Sequence, residues 1–413
     1  MEKETFLTAI DVGTTKVCTI VARLAPGKDP EIVASGIVPS QGLKKATVVD
    51  IEGAANAVRA SVELAEGEAG MKVPWAYVGV TGSHIEAMNQ WTAIEVSNHG
   101  SVITPRDMAV AHVSSVSSEP SDNRQLLHAI PRLYSLDGLK GIRNPVGMHA
   151  QNLQVETHVI QGAASLMANL VRSVEKAGVK VKGMVLEPLA SGEAVLTPEE
   201  REMGVVMVDI GGGTSDIAVF KEGAIFHTAV IPVGGHQFSN DISMAFDTPF
   251  LAAEEAKVKY GHALPETVDM REELDLPVLN GITQIKVSRR ELCQIVKERA
   301  HELLELVRIK LEQAEIKDIS GTKLVLTGGT ANLPGLEELA RQTLSGHVRV
   351  GVPSGVKGLP EKLVNPAYAT SVGMLLWCSS REAVHDNHVN GKGGPLALYS
   401  QFIRWLTSIM RAK

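Results

Sequence analysis

Ala9-Ile10-Asp11-Val12-Gly13-Thr14-Thr15-Lys16-Val17, near the start of the chain, has a counterpart roughly two hundred residues later. The second copy reads Val208-Asp209-Ile210-Gly211-Gly212-Gly213-Thr214-Ser215-Asp216-Ile217. Each copy is an apolar run, a sharp Asp-x-Gly turn rich in Thr or Ser, and a second apolar run. Residues 6–10 and 17–22 suit two strands, as do 205–208 and 217–220. Glycine lets the backbone approach a phosphate, because no Cβ intervenes. Successive N–H groups in such a turn form an anion nest, and Thr or Ser hydroxyls add donors. The Asp cannot hold a phosphate itself, but it can hold a hydrated Mg²⁺ that bridges phosphate oxygens. Two facing hairpins would clamp a nucleotide from both sides.

One such hairpin is also an ordinary β-turn, in which Asp and Gly are common for steric reasons. The duplication argues against that reading. So does a third element, Leu324-Val325-Leu326-Thr327-Gly328-Gly329-Thr330-Ala331, a buried strand ending in a glycine turn where a flat adenine could lie against the backbone. In this order the three elements resemble the two phosphate loops and the adenosine motif of the actin, Hsp70 and sugar-kinase superfamily. Glu187-Pro188-Leu189-Ala190-Ser191-Gly192-Glu193-Ala194 resembles its first hinge helix, and Pro366-Ala367-Tyr368-Ala369-Thr370-Ser371-Val372-Gly373 its second. The resemblance implies an α/β actin-like ATPase fold: two duplicated ββ-β-α-β-α-β domains around a nucleotide cleft.

Composition fits this class and excludes others. The 413 residues suffice for two or three domains with sizeable cores. A net charge of −7 disfavours nucleic acid, which needs clustered Lys and Arg. Cys18, Cys293 and Cys378 are scattered in apolar stretches, with neither disulfide nor metal-ligand spacing, and read as core residues in a reducing cytoplasm. No signal peptide is expected after Met1-Glu2-Lys3-Glu4, and no apolar run reaches the roughly 18 residues of a spanning helix.

Periodicity gives the layout. Asp50 can cap a helix over 51–66, and 75–80 is a buried strand stopped by Thr81-Gly82-Ser83. Residues 83–161 change to alternating strand patterns with little sign of a long buried helix, and read as a small inserted α+β domain. A long helix over 289–315 follows the capping candidate Ser288. An apolar closing helix is expected over 366–378. The polar, glycine-bearing stretch 379–395 reads as a flexible linker.

Within the superfamily, the insertion narrows the match. Val80-Thr81-Gly82-Ser83-His84-Ile85 and Asn144-Pro145-Val146-Gly147-Met148 resemble the inserted domain of the FtsA family; the pilus protein PilM shares that arrangement. Ile231-Pro232-Val233-Gly234-Gly235, Asn240-Asp241-Ile242 and Ala253-Glu254-Glu255-Ala256-Lys257-Val258-Lys259-Tyr260-Gly261 resemble FtsA subdomain 2B. His236 departs from the acidic residue expected after the glycine pair. The resemblance divides the chain into subdomain 1A (1–82, completed by 162–192 and 350–378), 1C (83–161), 2A (193–233 and 300–349) and 2B (234–299). The linker (379–395) and a terminal helix (396–413) follow.

That terminal helix places Leu398, Phe402, Trp405, Leu406 and Ile409 at helical spacing, with Arg404 and Arg411 on the other face and Lys413 beyond. The pattern suits a helix lying in a membrane interface, or one docking in a protein groove. Its place after a linker resembles the FtsA membrane-targeting sequence.

The resemblance implies an ATP-binding cell-division protein on the cytoplasmic face of the membrane at the division site. It would polymerise, with the inserted domain packing on the next subunit, anchor the tubulin-like FtsZ and recruit later division proteins. ATP would lie with Mg²⁺ held through water near Asp11 and Asp209. Gly13, Thr14, Thr15, Lys16, Gly211, Gly212, Gly213 and Thr214 would face phosphates, and Gly328, Gly329 and Thr330 would flank adenine. Glu254 and Lys257, three apart on one helix face, would meet the ribose or base edge. Any hydrolysis would use a water polarised near Glu187 or Asp209, giving at most a weak ATPase that switches assembly. Arg289, Arg290 and Arg299 are the candidates for binding the FtsZ C-terminal peptide. The rival readings are a PilM-like pilus scaffold and a small-molecule kinase of the same superfamily.

Overall fold

The computed structural model describes residues 5–25, 27–96, 102–116, 123–279, 283–316, 322–344 and 346–389. The tail helix over 396–413 and residues 390–395 of the expected linker lie outside them.

Two five-stranded sheets repeat one plan. In the first, Thr5–Val12, Lys16–Leu24 and Glu31–Pro39 form an antiparallel meander, and Trp75–Val80 and Lys180–Leu186 extend it in parallel. In the second, Val205–Ile210, Ser215–Lys221 and Ala224–Ile231 form the meander, and Lys323–Thr327 and His347–Val350 extend it in parallel. The central strands have both faces covered. Val205–Ile210 is buried at every position, which explains its unbroken apolar run. Helix Ile51–Ala69 covers the first sheet; Asp50 accepts from the Glu52 N–H at its start, and Gly70, at φ 66°, ends it. The actin-like fold expected from the duplicated hairpins is the fold observed.

Two helices join the halves. Glu187–Val195 and Ala369–Val389 cross so closely that a Cβ on Gly373 would collide with the Ala190 carbonyl. Around the crossing, Leu189, Ala194, Val372 and Leu375 share one core with Leu7 of the first sheet and Met207 of the second.

The second helix corrects the sequence reading. Residues 366–368 are a 3₁₀ turn, and the helix runs to Val389 rather than ending at Cys378. Ser379 and Ser380 donate to the Leu376 and Trp377 carbonyls, both at 3.0 Å, so their hydroxyls are satisfied within the helix. Polarity in this stretch does not mark loss of helix. Ser288 likewise precedes the long helix Arg289–Gln313 without a side-chain cap bond; the Arg289 N–H instead donates to the Glu272 carbonyl at 2.9 Å.

The inserted unit is a four-stranded sheet in the order Glu86–Glu95, Asn152–Ala163, Arg124–Leu136, Leu139–Ile142, with helix Pro105–Val116. Its chain ends join the first half, but its sheet lies against the outer strand of the second, Ala224–Ile231. Buried His158 bonds Asn89 Oδ1 at 2.6 Å and Thr228 Oγ1 at 3.0 Å. Asn89 Nδ2 donates to the Phe226 carbonyl at 3.0 Å, and the Arg132 guanidinium lies 4.5 Å from the Phe226 ring centre. Burial pushes the His158 imidazole down to about 3, so it is neutral in this seam.

Candidate functional site

The two Asp-x-Gly hairpins close identically. The Gly13 N–H donates to the Lys16 carbonyl at 3.0 Å, and the Gly211 N–H to the Thr214 carbonyl at 2.9 Å. Their tips meet across a cleft of about 510 Å³. A Cβ on Gly212 would collide with Thr15 Oγ1, and one on Gly213 would stand 2.5 Å from Thr14 Oγ1. Only glycine permits this approach. The next helix, Gly235–Ala245, starts against the second loop, where the Gly235 and His236 N–H groups donate to the Gly211 and Gly212 carbonyls, each at 2.8 Å. His236 Nε2 lies 3.4 Å from Thr15 Oγ1, so the unexpected histidine contacts the opposite half.

Acids gather on the cleft floor: Asp11, Glu187, Asp209 and Asp216 all line the cavity. The hinge helices hold two of them. Ser371 Oγ donates to Asp11 at 2.7 Å; Ser191 Oγ and Thr370 Oγ1 donate to Asp209 at 2.5 and 3.0 Å. Asp216 accepts from the Thr81 hydroxyl and, at 3.4 Å, from that of Thr214. Burial raises Asp11 above the usual carboxylate range, against the opposing pull of Lys16 and Ser371. Burial also raises Asp209, and takes Asp216 up to about 8. Burial, then the charges of Asp11, Asp216 and Asp209, raise Glu187 well above the usual carboxylate range. Such a floor favours a cation. Among the described residues no three His, Cys, Asp or Glu side chains converge closely enough to ligate a metal directly. The buried acids suit a cation that keeps its water shell, such as a hydrated Mg²⁺.

The far end of the cleft is formed by a glycine turn and an ion-paired helix face. Gly328, at φ 84°, turns the chain after Lys323–Thr327, and Thr330 Oγ1 donates to the Gly211 carbonyl at 3.2 Å. Gly329, Asn332, Leu333 and Pro334 line this end with Val258. Opposite, Lys257 Nζ bonds Glu254 at 2.7 Å and the Gly235 carbonyl at 2.9 Å. Glu254 also accepts from Ser239. Burial lowers Lys257 despite Glu254 beside it.

The structure thus brings all the proposed nucleotide and acid residues to one cavity. The proposed partner arginines lie elsewhere, and two are engaged. Arg289 pairs with Glu272 at 2.7 Å, and Arg299 grips both oxygens of Asp241 at 2.5 and 3.0 Å. Arg290 is half-buried on the same helix. Leu398, Phe402, Arg404, Trp405, Leu406, Ile409 and Arg411 lie outside the described residues.

Sequence reasoning missed Thr81, Asp216 and the hydroxyls of Ser191, Thr370 and Ser371 as site residues. One signal was available. Across the hairpins Asp11 pairs with Cys18 and Asp209 with Asp216. The second copy therefore doubles its carboxylate where the first has a buried thiol, pushed up to about 12 by burial.

The geometry defines a class: an actin-like protein whose fold implies a nucleotide between its halves. Solved structures agree on the fold. The PilM–PilN type IV pilus biogenesis complex superposes at TM-score 0.64 with 17% identity, covering 90% of this chain and 98% of that one. MreB5 of Spiroplasma citri bound to ADP does so at 0.55 with 13% identity, covering 94% and 99%. Sequence goes further. The family model "Cell division protein FtsA" matches residues 206–373, and "SHS2 domain inserted in FTSA" matches 82–161. FtsA of Pseudomonas aeruginosa is 38% identical over 90% of this chain and 88% of its own length. FtsA of Neisseria meningitidis is 32% identical over 98% and 99%, and that of Escherichia coli K12 34% over 93% and 91%. The chain belongs to the FtsA family of cell division proteins.

Proposed function

We propose that this protein binds Mg-ATP in the cleft, polymerises under the cytoplasmic membrane at the division site, and links the FtsZ ring to that membrane. The carrying observation is the pair of matched Asp-x-Gly hairpins facing each other over four buried or half-buried acids. Backbone N–H groups and Thr hydroxyls of the loops bind phosphate oxygens. Bound Mg²⁺ would supply the positive charge that the acids lack. Asp11 and Asp209 orient its water shell, and the hinge hydroxyls of Ser371, Ser191 and Thr370 fix those two carboxylates. Glu187 or Asp209 would polarise an attacking water; burial holds the Glu187 carboxyl protonated, so it could take a proton only where bound Mg²⁺ draws it to its ionised form. Any hydrolysis would be weak and would act as an assembly switch.

FtsZ binding through its C-terminal peptide near Arg289, Arg290 and Arg299, self-association, recruitment of later division proteins and membrane attachment through 396–413 rest on family membership and on the sequence of the tail. Among the described residues no helix is long and apolar enough to cross a membrane, so attachment is assigned to the tail. Co-sedimentation with anionic vesicles, with and without ATP, tests the whole reading. Pelleting that depends on the tail and strengthens with ATP is expected. Pelleting indifferent to both overturns it.

A further inference from the structure

A turn outside both phosphate loops joins them. The short hairpin of Leu43–Lys44 and Thr47–Val48 is turned by Lys45 and Ala46, at φ 48° and 59°. Two successive non-glycine residues in the left-handed region are costly, and persist only where surroundings enforce them. Here both loops do so. The Ala46 N–H donates to Thr14 Oγ1 of the first loop at 3.0 Å. The Lys45 Cα stands 2.9 Å from where a Cβ on Gly213 of the second would lie. Ala46 itself lines the cleft.

Charge makes this position matter. Among the described residues the only cations lining the cavity are Lys16 and Lys257. Lys257 is tied to Glu254 at the far end, leaving Lys16 above the acid floor. Lys45 is exposed, and among the described residues its ammonium has no ion-pair partner. Its backbone sits at the meeting point of the two loops; its side chain lies outside the cavity lining, and its flexible four-carbon stem would have to swing inward to meet a phosphate held between them.

We propose that Lys45 is a specificity-determining residue that reads the third phosphate, so that the cleft distinguishes a nucleoside triphosphate from a diphosphate. The proposal rests on the nucleotide-binding reading above. The strained turn holds the lysine at the junction of the loops, and a terminal phosphate there supplies its missing partner.

Calorimetric titration of the full chain with Mg-AMPPNP and with Mg-ADP tests it. Lys45→Ala should weaken AMPPNP about tenfold while leaving ADP within about twofold, and Lys45→Arg should restore most of the loss. Equal losses for both nucleotides, or no loss for either, overturn the role of Lys45 while the cleft remains a nucleotide site. A wild-type chain that binds neither overturns the nucleotide reading itself.

Discussion

Replacing Gly373 with alanine sets local propensity against packing, and the two disagree in sign. In an exposed helix interior, Gly→Ala stabilises by about 0.4–1 kcal/mol. At this crossing the new Cβ meets the Ala190 carbonyl group, with Ser191 N at 3.1 Å. All are backbone atoms of the facing helix, so no side chain can swing away. Normal carbon–oxygen contact needs about 3.3–3.6 Å, so the helices must part by more than ~1 Å. A gap of 0.5–1 Å forfeits a quarter to a half of each dispersion contact, and Leu189, Ala194, Val372 and Leu375 would feel it. Overpacking of this kind costs ~1–3 kcal/mol, which outweighs the propensity gain. The same separation displaces Ser191, Thr370 and Ser371, which hold Asp209 and Asp11. Urea unfolding should therefore show a net loss of ~1–2 kcal/mol, and calorimetry a weaker Mg-ATP complex. A Gly373→Ala protein as stable as wild type, with unchanged Mg-ATP affinity, would refute the reasoning.

Four further outcomes are expected. Asp216 titrates near 8 in the folded chain against about 4 unfolded, so its contribution to stability is complete below pH 4 and lost as pH rises through 8; Asp216→Asn should flatten the fall in melting temperature of the nucleotide-free protein between those values, and parallel curves would contradict it. Asp209→Ala should weaken Mg-ATP by ~1–3 kcal/mol in calorimetry, the scale of a lost charge-assisted contact; equal affinity in a folded mutant would sink the assignment. Trp405→Glu should abolish binding to anionic vesicles and leave ATP affinity unchanged; if the mutant still pellets with lipid, the tail docks on protein instead. Arg299→Glu should weaken binding of the FtsZ C-terminal peptide in fluorescence anisotropy, although it also breaks the Asp241 pair, so a melting curve must accompany it; unchanged anisotropy clears the residue.

The hairpins were legible because their chemistry is local. Asp, Gly and Thr within a few residues announce a turn open to phosphate, and repetition separates that signal from ordinary turns. The hinge hydroxyls were not legible as ligands. Ser371 meets Asp11 across 360 positions of chain, a distance no periodicity spans. Asp216 could have been found by comparing the copies, since one strand register sets it opposite Asp209 and sets Cys18 opposite Asp11. The helical stretch past Cys378 was misread because polar composition was taken for a linker, whereas Ser379 and Ser380 satisfy their hydroxyls on helix carbonyls.

The seam beneath the inserted sheet has a consequence for solubility. Ala224–Ile231 is the outermost strand of its sheet, and such a margin offers bare backbone groups to any extended chain. Here the Asn89 amide takes the Phe226 carbonyl, and the Arg132 guanidinium covers the ring beside it. The inserted domain therefore acts as a lid against strand addition. Cutting it out would uncover an aggregation template. A truncated chain would need lysine or proline along 224–231 to remain dispersed.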